Sequence, residues 1–238
     1  MTRLDVLITK SGLAESRERA QALILAGKVR VAGETVRKPD RSVNEDADIS
    51  VEATPEFASR GALKLGPALD DFKVDPSGRV CADVGASTGG FTDVLLRRGA
   101  SRVYAIDVGR GLLHWRLRQD PRVVVIERMN ARDLESFPEP VSLIVIDVSF
   151  IGLEKVLPAL RGAAPQAEVV ALFKPQFQVG RSEVGKGGIV RDAEAIDASL
   201  KRFRDWCSEN GYEVLGESPA AVTGAEGNQE IFLHLIPR

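Results

Sequence analysis

The 238-residue chain reads as an α/β protein: a largely parallel sheet clad in helices, preceded by a small basic α+β module. Three observations predict this. From residue 63 onward, apolar β-rich runs alternate with helical segments, as parallel strands joined by crossover helices require. A glycine-rich stretch sits where one such strand gives way to a helix. The charge also changes sign near the start: residues 1–41 carry nine Lys/Arg and five Asp/Glu, whereas 42–56 carry five acids and no base. A reversal that sharp marks a basic module followed by a boundary.

Taken in order, residues 3–10 place Leu4, Leu7 and Ile8 at helical spacing. Ser16 is a good N-cap for a second helix over 17–26, whose Ala20, Leu23 and Ile24 share a face. Gly27 suits the left-handed position that ends it. Short strands follow at 28–31, 35–37 and 48–51, the first two joined through Ala32-Gly33-Glu34. The expected boundaries are a first domain over 1–55, a linker over 56–62 and a second domain over 63–238.

In the second domain, strands are predicted at 80–84, 102–106, 123–127, 143–146 and 169–173. Helices are predicted at 91–98, 112–118, 153–161 and 194–209. The stretches 212–218 and 230–236 lack a helix between them and are expected to form an antiparallel hairpin at the sheet edge, giving seven strands.

Composition excludes several classes. No apolar run approaches the roughly 20 residues of a membrane helix, and the N-terminus lacks the pattern of a secretory leader. Cys81 and Cys207 cannot build a disulfide framework, so two buried thiols in a reducing cytoplasm are expected. His114 and His234 are isolated, and no metal site is expected. The net charge of −2 argues against nucleic acid at first sight, but the first 41 residues alone carry +4.

The strongest local signal runs from Asp83 through Val84-Gly85-Ala86-Ser87-Thr88-Gly89-Gly90-Phe91-Thr92-Asp93. Its glycine spacing is G-x-x-x-G-G, not the G-x-G-x-x-G of dinucleotide folds. Asp107 ends the next strand, 22 residues after Gly85, where an acid can accept from both ribose hydroxyls of a nucleoside. Asp83 would repel a pyrophosphate but suits an ammonium, which prefers S-adenosylmethionine over NAD. Asn130 and Ala131 follow the third strand, in a loop that could meet the adenine edge. The plainer alternative is that Gly89-Gly90 permits close helix packing and that 130–133 is an ordinary polar loop.

Asp147 and Lys174 each end an apolar core strand, Lys64 lies just before the sheet begins, and Glu230 opens the last strand. A charge at the end of an apolar strand is paired or functional. A lysine among carboxylates can serve as base toward a weakly acidic hydroxyl.

The runs SRGALKL, DVGASTGGFTD, AIDVG, IDVSFI, LFKPQF and GNQEIFLHL resemble, in order and spacing, the TlyA family of bacterial ribosomal RNA methyltransferases. The resemblance covers essentially the whole chain. It implies an S4-like RNA-binding domain followed by an FtsJ-like, Rossmann-like methyltransferase domain that moves a methyl group from S-adenosylmethionine to a cytidine ribose 2′-hydroxyl. The family's Lys-Asp-Lys-Glu set maps to Lys64, Asp147, Lys174 and Glu230, and its cofactor motif to Asp83, Gly85, Ser87, Gly89 and Asp107. Thr88, Gly90, Phe91, Asn130 and Ala131 are expected around the same cofactor. Arg3, Lys10, Arg17, Arg19, Lys28, Arg30 and Arg60 are expected to touch RNA phosphates. The chain resembles the family's short form, which implies the large-subunit RNA or ribosomal subunit as partner. A monomeric, cytoplasmic protein is expected. Some family members are named haemolysins, but the basic helix 17–26 is too short and too weakly apolar for direct membrane insertion. The rival readings are a non-catalytic RNA-binding protein with a relic second domain, and a nucleotide-dependent oxidoreductase.

Overall fold

The computed structural model describes residues 1–14, 16–52, 57–180, 183–224 and 227–238. The chain divides into two compact units, Met1–Glu56 and Phe57–Arg238. In the first, β1 (Thr2–Arg3) leads directly into α1 (Leu4–Lys10), and α2 (Arg17–Leu25) follows. Ser16 Oγ accepts from the Arg19 amide at 3.2 Å and Gly27 takes φ +72°, so both ends of α2 form as expected. β2 (Val29–Val31) and β3 (Glu34–Val36) form a hairpin whose two turn residues, Ala32 and Gly33, both have positive φ. That is the turn whose twist matches the strands. β4 (Ser42–Val43) pairs with β1, and β5 (Ile49–Val51) pairs with β2. Leu4, Ile8, Ala20, Leu23, Ile24, Val29 and Val36 form the buried core of this unit.

The second unit opens with α3 (Ala62–Phe72), which packs Leu65, Ala68 and Leu69 inward. Sequence reasoning does not find this helix, because Gly66-Pro67 in its middle reads as a break. There follow β6 (Val80–Val84), α4 (Gly90–Arg97), β7 (Arg102–Asp107), α5 (Trp115–Arg118), β8 (Val123–Glu127) and β9 (Leu143–Ile146). After them come α6 (Leu157–Ala163), β10 (Glu168–Phe173), α7 (Ala193–Glu209), β11 (Tyr212–Pro219) and β12 (Ile231–Pro237). Two predicted helices are shorter than expected. Only the last turn of 112–118 is helical, started by His114, whose Nδ1 accepts from the Arg116 amide. The segment 153–161 splits into a 3-10 turn and α6, because Pro158 is tolerated in a first turn but not in a helix interior.

The seven strands run in the order β11-β12-β10-β9-β6-β7-β8. β6 to β10 are parallel, while β12 runs antiparallel to β10 and β11 antiparallel to β12, which is the expected edge hairpin. The chain moves outward from β6 through β7 to β8, then returns to place β9 on the other side of β6. The carboxyl ends of β6 and β9 therefore flank the point where strand order reverses, and open α/β sheets bind ligands in that crevice. Residues 57–62, expected as linker, pack with this unit: Phe57 and Ala58 lie against its core, with the Arg97 guanidinium 4.6 Å over the Phe57 ring. Glu56 lies outside the described residues.

Candidate active site

A cleft of about 350 Å³ opens at that crevice. One wall is the turn after β6. Gly85 and Ala86 donate their amides to Ile106 O, and Gly85, Ser87 and Gly89 have φ of +86°, +48° and +94°. A Cβ on Gly85 would collide with the carbonyl of Asp147, and one on Gly90 with Ser59 and the amide of Ala62. The first glycine thus brings the turn against the end of β9, and the second brings α4 against the start of α3. Gly85→Ala combines a left-handed backbone with overpacking and is expected to cost about 3 kcal/mol. The corresponding fall in melting temperature, roughly 6–12 °C for a domain of this size, is measurable by calorimetry.

Asp83 is fully buried near the end of β6. Its Oδ2 accepts from the amide and hydroxyl of Thr92, at 2.8 and 2.6 Å, while its Oδ1 has no partner. Burial, with added repulsion from Asp147 and Asp107, pushes this carboxyl up to about 7 against the pull of the Thr92 bonds. An orphaned, buried acceptor on the wall of a cleft calls for a donor from outside the chain. Asp107 is already ordered: its Oδ2 accepts from the Ser87 amide and its Oδ1 from the Gly109 amide, at 2.8 and 2.7 Å. This acid orders Ser87, which lines the cleft, and keeps lone pairs to spare.

The opposite wall carries Lys64, whose ammonium meets Glu230 Oε2 at 2.5 Å, both side chains being nearly buried. Lys174 Nζ stands 2.5 Å from Asp147 Oδ1 and donates to Ser149 Oγ at 3.0 Å. The contact with Asp147 is close but poorly aligned for a hydrogen bond, so that oxygen counts as ion-paired only. Lys64 and Asp147 line the cleft, and each holds one of the other two charges. The four charges expected to act together thus lie around one cavity as two ion pairs.

Several positions differ from expectation. Gly89, Asp107, Asn130 and Ala131 are not among the residues lining this cleft. Asn130 Oδ1 instead accepts from the Arg132 amide, and Ala131 is buried in the core. Phe91 lines the cleft from below and packs on Phe232. Thr92, Ser149, Val222 and Thr223 were not anticipated, although the first two lie within two residues of Gly90 and Asp147. Asp93 was also missed: it accepts from the Ala58 amide, Arg97 and Arg116, tying the segment before α3 to α4 and α5. Among the residues expected to touch RNA, Arg60 is exposed at the cleft rim, and Lys10 and Arg30 are exposed on the first unit. Lys28 is paired with Glu52, Arg19 is half-buried, and Arg3 and Arg17 share Asp5. No group of His, Cys, Asp and Glu able to hold a metal is found among the described residues.

Residues 57–236 match the model of the FtsJ-like methyltransferase family. The chain belongs to that family. The FtsJ-like domain is joined to an S4 domain matched over residues 2–49. The whole arrangement is similar to the 16S/23S rRNA (cytidine-2′-O)-methyltransferase TlyA of Mycobacterium tuberculosis, 48% identical over 98% of this chain and 89% of that one. The 23S rRNA (cytidine-2′-O)-methyltransferase TlyA of Campylobacter jejuni is 35% identical over 76% of this chain and 71% of its own length. A solved structure described as a putative hemolysin from Streptococcus thermophilus superposes with a TM-score of 0.74, at 40% identity, over 99% of this chain and 88% of that one. In the FtsJ-like domain, the orphaned Asp83 oxygen, the ordered Asp107 and the glycine cradle fit a nucleoside-bearing amino acid, as S-adenosylmethionine is. No described helix is long and apolar enough to cross a membrane.

Proposed function

We propose that this protein transfers a methyl group from S-adenosylmethionine to the 2′-hydroxyl of a cytidine in large-subunit ribosomal RNA. The observation that carries the reading is two largely buried lysine–carboxylate pairs around the same cleft as the partnerless Asp83 oxygen. Asp83 would hold the ammonium of the cofactor and Asp107 its ribose. When bound, the cofactor supplies a sulfonium methyl that reacts with a nucleophile and leaves a neutral thioether.

The chain's own residues prepare that nucleophile. An ammonium has three donor positions. Lys174 directs one at Ser149 and one toward Asp147, so the third is left for the ribose oxygen. A donor fixed there orients the hydroxyl and stabilises the charge it gains as its proton leaves. With Nζ as the neutral amine, that same third position carries the lone pair, which accepts the hydroxyl proton and restores the ammonium beside Asp147. Lys64, neutralised by Glu230, keeps the second cation on the same cavity without leaving a buried charge unpaired.

The choice of the large subunit follows the two relatives, whose names share 23S RNA. The protein would work in the cytoplasm, where ribosomes are made, and as a monomer, since all four charges come from one chain. Purified protein incubated with methyl-labelled S-adenosylmethionine and large ribosomal subunits should yield 2′-O-methylcytidine on nuclease digestion and mass spectrometry. Label on a base, or on no nucleotide, would overturn the reading.

A further inference from the structure

Asp5 takes no part in the chemistry above, yet it is fully buried at the start of α1 and surrounded by donors. Its Oδ1 accepts from the Val6 amide and Arg3 Nε, at 2.9 and 3.1 Å. Its Oδ2 accepts from Arg3 Nη2, Arg17 Nε and Gln21 Nε2, at 3.0, 3.1 and 2.8 Å. Hydrogen bonding to Arg3, then to Gln21 and Arg17, holds this carboxyl well below the usual carboxylate range. A buried carboxylate needs a cation, but one would suffice for neutrality. Here two guanidiniums share it, and their side chains stay 45% and 50% exposed. Each engages the carboxylate through its Nε edge, leaving other N–H groups of both arginines available.

Two cations bound to one oxygen are close neighbours and would repel each other without the acid between them. Arginine side chains are also among the most costly to immobilise, and a fixed planar fork loses less on binding a phosphate. The cluster keeps a net charge of +1 on the surface.

We propose that Arg3, Asp5 and Arg17 form a single clamp for an RNA phosphodiester, with Asp5 as the positioning residue that holds both guanidiniums for it. This rests on the RNA-binding reading of the first unit. The clamp predicts a result opposite in sign to simple charge counting. Asp5→Asn removes a negative charge from a protein that binds a polyanion, and charge alone would tighten binding. The clamp instead requires Asp5→Asn to weaken binding about tenfold and to flatten the salt dependence by about one phosphate contact.

The test is binding of the full-length protein to transcribed 23S RNA across a salt series, with Asp46→Asn, an exposed acid of the same unit, as the charge control. Asp5→Asn binding as tightly as Asp46→Asn overturns the clamp. Should Asp5→Asn fail to fold by circular dichroism, Arg17→Lys keeps the charge but loses the Nε anchor. It should bind about fivefold more weakly at an unchanged melting temperature, and wild-type affinity overturns the clamp. In an Arg3→Ala/Arg17→Ala background, adding Asp5→Asn should cost no further affinity, and a second tenfold loss would mean that Asp5 acts elsewhere. If Arg3→Ala/Arg17→Ala itself binds like wild type, the RNA-binding reading of this unit fails instead.

Discussion

Lys174→Ala should lower methyl transfer by about 10³-fold or more, since general-base and electrostatic contributions of this kind each supply about 10²–10⁴. S-adenosylmethionine affinity should stay within about threefold of wild type, because the cofactor's ammonium and ribose fall to Asp83 and Asp107. Removing one partner also leaves Asp147 without its cation, so a loss of stability is expected beside the loss of rate. Single-turnover kinetics and calorimetric titration separate the two effects. Turnover near the wild-type rate would remove Lys174 from the chemistry.

The second large effect is at Asp83. Asp83→Ala should weaken the cofactor by about 10–10² fold, the range for a charge-assisted hydrogen bond made in a buried site. The pH dependence carries more information. In the cofactor-free protein this carboxyl titrates at about 7, against 3.8 for an ordinary aspartate. The stability gained by keeping it protonated is therefore complete below pH 3.8 and lost as pH rises through about 7. The cofactor needs the opposite form, an ionised carboxylate facing an ammonium. Affinity should rise about tenfold per pH unit below 7, then fall again above about 8 as the cofactor's amine loses its proton. At pH 7, binding should release about half a proton, seen as a dependence of calorimetric enthalpy on buffer. Asp83→Asn should abolish the acid limb. A flat acid limb in the wild type would show that Asp83 does not meet the ammonium.

Much of this site was legible in the sequence because strands announce their own ends. β6, β8 and β9 form over the residues expected, and the acids near or just past the ends of β6, β7 and β9 are those that face the cleft or order its rim. Helices were less legible where proline intervened. α3 is hidden by Gly66-Pro67, and α6 begins only where Pro158 permits a first turn. Residues whose role depends on distant partners left no signal at all. Val222 and Thr223 reach the cleft from the loop between β11 and β12, and no local pattern distinguishes them from turn residues. The mapping of Lys64 to Glu230 came from the family resemblance, because 166 residues separate the two. Asn130 has the expected place in the chain, but its side-chain oxygen accepts from the Arg132 amide and it does not line the cleft.

The insertion of β12 between β10 and β11 also bears on how the protein reaches its working form. Contacts that close long loops form slowly, because the chain must be ordered before they return any stabilisation. The pairing of Lys64 with Glu230, just before β12, closes a loop of 166 residues, so the charge balance of the cleft rests on one of the slowest kinds of contact to form.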